Sequence, residues 1–382
     1  MRVHRASIFL ILAVVFGGPG SAVATAGEVP SAQAGCDGTW QVQDVPNPTG
    51  SADLNEVSGT SPTDVWAVGT LYTPSAQALI QHWDGTAWAV APFPAPGTQS
   101  QLFAVAALTP RDAWAVGTYV IDSSIRTLIM HWDGRRWVKV RSPAVGEYLW
   151  GASALSARDA WAVGMHLDAE NKPQPLIMHW DGRRWSIVRI PHLTGDSALE
   201  AVSVISSTDV WAVGFQGLTK TLTMHWDGTL WKVVPSPNPG DTLNTLYGVA
   251  TASPTDAWAV GSHFSAGDYT RTLALHWDGS VWMKVPSPNV GTTASYFESV
   301  WASEGAAWAV GAYDTPASVA RTLTQFWDGS AWTVVISPNV GPTSNGLRGV
   351  WASSPSDVHA VGLILGQDFL FDPLALRYCT VG

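Results

Sequence analysis

An all-β fold, a seven-bladed β-propeller of four-stranded antiparallel blades, is the class this sequence predicts. Three observations predict it: a Trp-Ala-Val-Gly motif that returns seven times, once with His for Trp, a Trp-Asp-Gly turn between successive copies, and two chain ends that complete each other. The motif starts at Trp66, Trp114, Trp161, Trp211, Trp258, Trp308 and His359. The period of roughly 50 residues is that of one propeller blade.

In chain order, Arg2 and Arg5, an apolar run from Ala6 to Phe16 and Ala24-Thr25-Ala26 read as a secretory signal over residues 1–26. A short linker follows over 27–35, and the propeller occupies 36–382. The apolar run is too short for a comfortable membrane span, and no later one is long enough. The expected product is a secreted, extracellular monomer that is not inserted in a membrane.

Within a blade, the second repeat serves as the example. Strands are predicted at 102–107, 113–117, 127–132 and 137–140. Ser/Thr-Pro-x-Asp, as in Ser61-Pro62-Thr63-Asp64, turns the first strand into the second. Asp133-Gly134 turns the third into the fourth, because Gly accepts positive φ and Asp bonds nearby backbone N–H groups. One such meander cannot cover both its faces, so successive blades must stack around an axis.

The last repeat stops after its third strand, and the missing strand stands at the other end: Cys36-Asp37-Gly38-Thr39-Trp40 repeats the turn and the fourth-strand Trp. Arg377-Tyr378-Cys379 occupies the His-Trp-Asp place, so both cysteines fall at the severed hairpin, and a Cys36–Cys379 disulfide is predicted. Closing so long a loop contributes on the order of 4–5 kcal/mol on the chain-entropy account.

Composition agrees. An apolar fraction of 46% supplies a core and excludes a disordered chain. The formal charge of −10 becomes −12 once Arg2 and Arg5 leave with the signal, and the longest basic runs are the pairs Arg135-Arg136 and Arg183-Arg184. Nucleic acid is therefore excluded as a partner. Of the 22 Trp, nineteen repeat in register and are assigned to packing between blades; Trp150, Trp301 and Trp351 stand outside the register. The repeated His82, His131, His179, His225 and His276 sit on outer strands too far apart to share an ion, so neither a metal site nor a cofactor is expected.

The blade grammar of Leu246, Val249, Ala257-Trp258, Leu275-His276-Trp277 and Trp282 resembles secreted bacterial Trp-rich propellers and the tectonin-type lectin repeat. Asp227-Gly228-Thr229-Leu230-Trp231 is similar to the Asp-box of sialidase-like propellers, though here Gly follows Asp directly. Both resemblances concern how blades are built and carry over no catalytic residue.

Function is expected where the repeat varies. One set follows the apolar start of each innermost strand: Asn55, Phe103, Trp150, Glu200, Tyr247, Glu298 and Arg348. The other falls between second and third strands: Tyr119, His166, His263 and Tyr313, with Asp122, Asp168, Asp268, Asp314 and Asp368. Both are expected to open on one face around the channel mouth, and rings beside carboxylates and amides suit sugars. The leading reading is a non-catalytic module that binds a glycan or a cell-surface protein. The alternatives are a glycoside hydrolase or polysaccharide lyase using Glu200, Glu298 and Arg348, and a protein-interaction scaffold using the outer rim.

Overall fold

The computed structural model describes residues 36–380 apart from 73, 144–146, 218 and 291–292. The predicted signal and linker lie outside the described residues. Seven four-stranded antiparallel sheets are present, six of them ordered from innermost to outermost strand along the chain. Blades 1 to 6 span residues 52–90, 99–139, 147–187, 197–233, 243–285 and 295–334. Blade 7 takes residues 345–380 and, as its outermost strand, Asp37–Gln43 from the N-terminal side. The strands of blade 2 are Gln99–Thr109, Asp112–Ile121, Ser124–Trp132 and Trp137–Lys139; the first three are longer than the apolar pattern implies because backbone pairing continues into polar sequence, and the fourth ends one residue earlier.

The ring closes as expected. Asp37–Gln43 pairs antiparallel with Phe371–Thr380, setting Trp40 opposite Tyr378. The Cys36–Cys379 disulfide joins residues 343 positions apart, with a Cα–Cα distance of 4.6 Å.

Each outer hairpin is set by its Asp-Gly pair. Asp84 Oδ1 accepts the N–H groups of Thr86 and Ala87 at 2.8 and 2.9 Å, and Gly85 takes φ +96°, a region open to Gly at no steric cost. The Trp before the turn crosses to the inner hairpin: Trp83 Nε1 donates to Pro62 O at 3.1 Å, and Trp132, Trp180, Trp226 and Trp277 make the equivalent bond.

Between blades the remaining tryptophans interlock. Trp66 of blade 1 lies 4.9 Å from the Trp132 ring and 5.1 Å, nearly perpendicular, from Trp137 of blade 2. Edge-to-face pairing of this kind adds to the apolar area removed from water. The arrangement repeats around the ring to Trp308, which meets Trp40 and Tyr378 at the closure. Within blades 1 to 5, the repeated His stacks on its own blade's motif Trp and bonds the Asp of the first hairpin, as in His82 Nε2 to Asp64 Oδ1 at 2.6 Å. In blade 7 Arg377 makes this bond, donating to both Asp357 oxygens at 3.1 and 2.9 Å. Blade 6 has lost both partners together, with Phe326 and Ala306 in their places.

The seam between blades 7 and 1 is the exception to Trp packing. His359 holds the motif position, fully buried, with its ring centroid 6.0 Å from Trp83 and 6.3 Å from Trp88. Imidazole is smaller than indole, and Trp351 on the inner strand restores volume beside it. Gly59 makes the room: a Cβ there would lie 2.9 Å from the Trp351 ring. Trp301 takes the same register in blade 6 and packs against the Trp40–Trp308 cluster.

His359 makes the seam acid-sensitive. Burial, then the Arg377 charge, push its pKa down to about 4, with Asp357 opposing. An unfolded His binds its proton near pH 6.5, so between the two values the unfolded chain holds a proton that the native one excludes. Stability is therefore expected to fall as pH drops from about 6.5 toward 4, by at most about 3 kcal/mol. Denaturant midpoints across this range check it: His359→Phe should flatten the slope, and an unchanged slope would refute the assignment.

Candidate functional site: an axial ring of bulges

Every innermost strand carries a β-bulge, and in all seven blades the bulged residue is the variable one. Register slips between Leu54 and Glu56, Leu102 and Ala104, Leu149 and Gly151, and Leu199 and Ala201. It slips again between Leu246 and Gly248, Phe297 and Ser299, and Leu347 and Gly349. Asn55, Phe103, Trp150, Glu200, Tyr247, Glu298 and Arg348 are thus the unpaired extra residues. A bulge re-aims its side chain and bends the strand, here toward neighbouring inner strands around the axis.

The bulge also explains the glycine that ends each Trp-Ala-Val-Gly motif. That glycine faces the carbonyl two residues before the bulge. A Cβ on Gly69 would sit 1.9 Å from Asp53 O, and one on Gly214 2.0 Å from Ala198 O, with the same clash in every blade. The invariant glycine and the variable side chain are two halves of one device.

The ring divides into two arcs. Across blades 2 to 4, Trp150, Ala198 and Phe215 form a cluster with Phe103, Tyr148 and Met165 around it. Across blades 4 to 1 the ring is polar. Arg348 Nη1 donates to Asp53 Oδ2 and to Asn55 Oδ1, both at 2.6 Å. Asp53 also accepts the Tyr72 hydroxyl at 2.9 Å and the Thr70 N–H at 3.2 Å, while Asn55 Nδ2 donates to Leu102 O at 2.9 Å. Burial lowers the Arg348 guanidinium's proton affinity, but Asp53, Tyr72 and Glu298 together outweigh it and hold the group above its ordinary value. Burial, then Glu298 and Glu200, push the Tyr247 phenol well up, and burial, then Glu298 and Asp314, do the same to Tyr296. These phenols remain neutral donors beside carboxylates. Glu200 and Glu298 are themselves buried, at 3% and 7% exposure.

The second predicted set shares the same end of each blade, since second strands finish where first strands begin: Ser100 pairs Tyr119, Glu147 pairs His166, Asn244 pairs His263 and Ser295 pairs Tyr313. These four residues lie on the second strands, not in the loops, each two residues past the repeated glycine. The structure does not bring them together with the axial ring. Lys139 Nζ caps the Tyr119 ring at 3.8 Å, Tyr313 packs against the cluster between blades 5 and 6, and half-buried His166 sets Nδ1 3.4 Å from Leu167 O. Among the loop acids, Asp168 caps its own hairpin and Asp268 pairs with Arg271. Asp368 accepts the Leu370 N–H, and Asp122 takes φ +48° in its turn.

Asp53, Tyr72, Tyr148, Phe215 and Tyr296 join the ring although no sequence reasoning selected them. Asp53, Tyr148 and Tyr296 occupy one register, two residues before the bulge, and variation at that register was the available signal.

Fold and ring together define the protein as a seven-bladed β-propeller with a two-sided, variable axial ring. No protein-family model and no curated protein matches the sequence. Solved structures do. A structure of YCF48 bound to a D1 peptide is similar at 16% identity and TM-score 0.56, covering 93% of this chain and 100% of that one. A streptogramin B lyase is similar at 9% identity and TM-score 0.60, covering 90% and 99%. The SapL1 lectin in complex with α-methyl fucoside is similar at 12% identity and TM-score 0.50, covering 77% and 99%. At these identities the likeness is one of fold, and fold does not select among a peptide binder, a lyase and a lectin.

Proposed function

We propose that this propeller is a secreted, non-catalytic recognition module that binds a glycan, or a glycan-bearing cell-surface partner, through the channel face. The observation that carries the reading is the ring of seven bulged side chains, variable in chemistry on an otherwise repeated frame, with an aromatic arc facing a polar one. A saccharide is two-sided in the same way: its C–H face stacks on rings and its hydroxyls need acceptors and neutral donors. Arg348 is engaged by Asp53 and Asn55, which supports a recognition surface held by its own hydrogen bonds. The disulfide supports export to an oxidising compartment.

A glycan array and polysaccharide pull-down with product analysis test this. Saturable binding without turnover is the expected result. Trp150→Ala and Tyr247→Ala should each weaken binding about tenfold, in steps that accumulate, as loss of a stacking ring costs about 1 kcal/mol or more. Released product that vanishes on Glu200→Gln or Glu298→Gln would replace this reading by the hydrolase or lyase. Binding indifferent to both aromatic substitutions would move the site to the outer rim.

A further inference from the structure

Away from the ring, at the rim of blade 5, a cavity of about 440 Å³ is bounded by His263, Arg271 and Lys284 over a floor of Thr272, Ser287 and Asn289. The floor is part of the repeated frame. Thr272 Oγ1 lies 2.8 Å from Ser287 Oγ, and the Thr272 N–H donates to Asn289 Oδ1 at 2.9 Å, as Thr221 bonds Ser236 and Asn238 in blade 4.

The walls are peculiar to this blade. In blade 2 the corresponding Lys139 lies over Tyr119, and in blade 6 Arg321 donates to the carbonyls of Thr343 and Pro342 beside Tyr313. In blade 5 an imidazole replaces the tyrosine, and Lys284, exposed on the outermost strand, has no ion-pair partner among the described residues. His263 Nδ1 is buried with no hydrogen-bond partner among the described residues. Arg271 bonds Asp268 at 2.8 Å, and Asp241 accepts the Ala266 N–H of the same loop at 2.9 Å. Burial, then Lys284, hold His263 below its ordinary range, with Arg271 acting the same way and Asp268 against it. The result is an uncompensated cation, Lys284, beside the Arg271–Asp268 pair on a protein of net charge −10, around a cavity sized for one small ligand.

We propose that this groove binds the oxyanion of a small acidic saccharide, a carboxylate or sulfate, with Lys284 and Arg271 supplying the charge and the His263 imidazole lining the wall beside them. An oxyanion meets the unpaired ammonium in charge-assisted bonds of the stronger kind, and its negative charge favours the protonated form of the imidazole beside it. The cavity volume favours a monosaccharide-sized acid over a peptide. The saccharide as carrier rests on the recognition reading above, but the oxyanion contact does not, so failure of the channel to bind leaves this site testable.

Calorimetry with glucuronate, inorganic sulfate, glucose and an oligoglutamate peptide, on the full propeller, provides the test. Glucuronate should saturate one site while glucose does not. Lys284→Met should weaken it at least tenfold, Lys284→Arg should retain it, and Lys139→Met in blade 2 should leave it unchanged. Imidazole NMR should show His263 titrating at higher pH when glucuronate is bound. Sulfate binding as tightly as glucuronate would overturn the saccharide as carrier, and tighter oligoglutamate binding would replace it by an acidic protein segment. No saturation by either anion, or binding indifferent to Lys284→Met, would overturn the site.

Discussion

Replacing Cys36 and Cys379 together by alanine is expected to lower the free energy of unfolding by about 4 kcal/mol. The bridge spans 343 positions, so nearly the whole chain is a closed loop in the oxidised unfolded state and an open one without it. That difference in unfolded-state freedom is the main source of the effect. A second source acts in the native state. The Asp37–Gln43 strand is an edge strand, held otherwise by its ladder to Phe371–Thr380 and by Trp40 wedged against Trp308 and Tyr378. Guanidinium unfolding of the oxidised and double-alanine proteins measures the loss. A change below about 1 kcal/mol would mean that Trp40 and the ladder close the ring by themselves.

The seam between blades 7 and 1 is clasped at the axis, and here Arg348→Met is expected to cost about 3 kcal/mol. Asp53 is 1% exposed, and Arg348 is its charged partner across the join of last and first blades. Removing the guanidinium leaves a buried carboxylate with, among the described residues, the Tyr72 hydroxyl and the Thr70 N–H as its donors. Breaking one side of a buried pair costs far more than replacing both. Adding Asp53→Asn to Arg348→Met should therefore recover much of the loss. Strictly additive effects, or a single-variant loss within 1 kcal/mol, would show that the pair does not hold the seam.

Blade count, hairpins, closure and disulfide were all legible in the sequence because each is written in repeated residues at fixed spacing. Trp-Asp-Gly makes a turn from local chemistry alone, and Cys36 and Cys379 are found by matching the chain ends to that turn. The His–Asp bonds were legible in principle: Phe326 and Ala306 depart from the pattern in the same blade, which betrays the pair they replace. Strand ends toward the channel face were less so, since polar stretches such as Gln99–Gln101 enter the sheet through backbone pairing that no side-chain pattern records.

The sequence by itself determined that Asn55, Phe103, Trp150, Glu200, Tyr247, Glu298 and Arg348 are equivalent positions, and that a glycine recurs across from them. Only the tertiary structure decided that the glycine admits a carbonyl at 2 Å from where a Cβ would stand, and so permits the bulge that turns those side chains to the axis. It likewise decided that Arg348 meets Asp53, 295 residues away, and that His263 stands with Lys284 and not with the ring. The physical reason is that a repeat fixes each blade through local turns and packing, whereas contacts between blades depend on the order in which the closed ring brings unlike residues side by side.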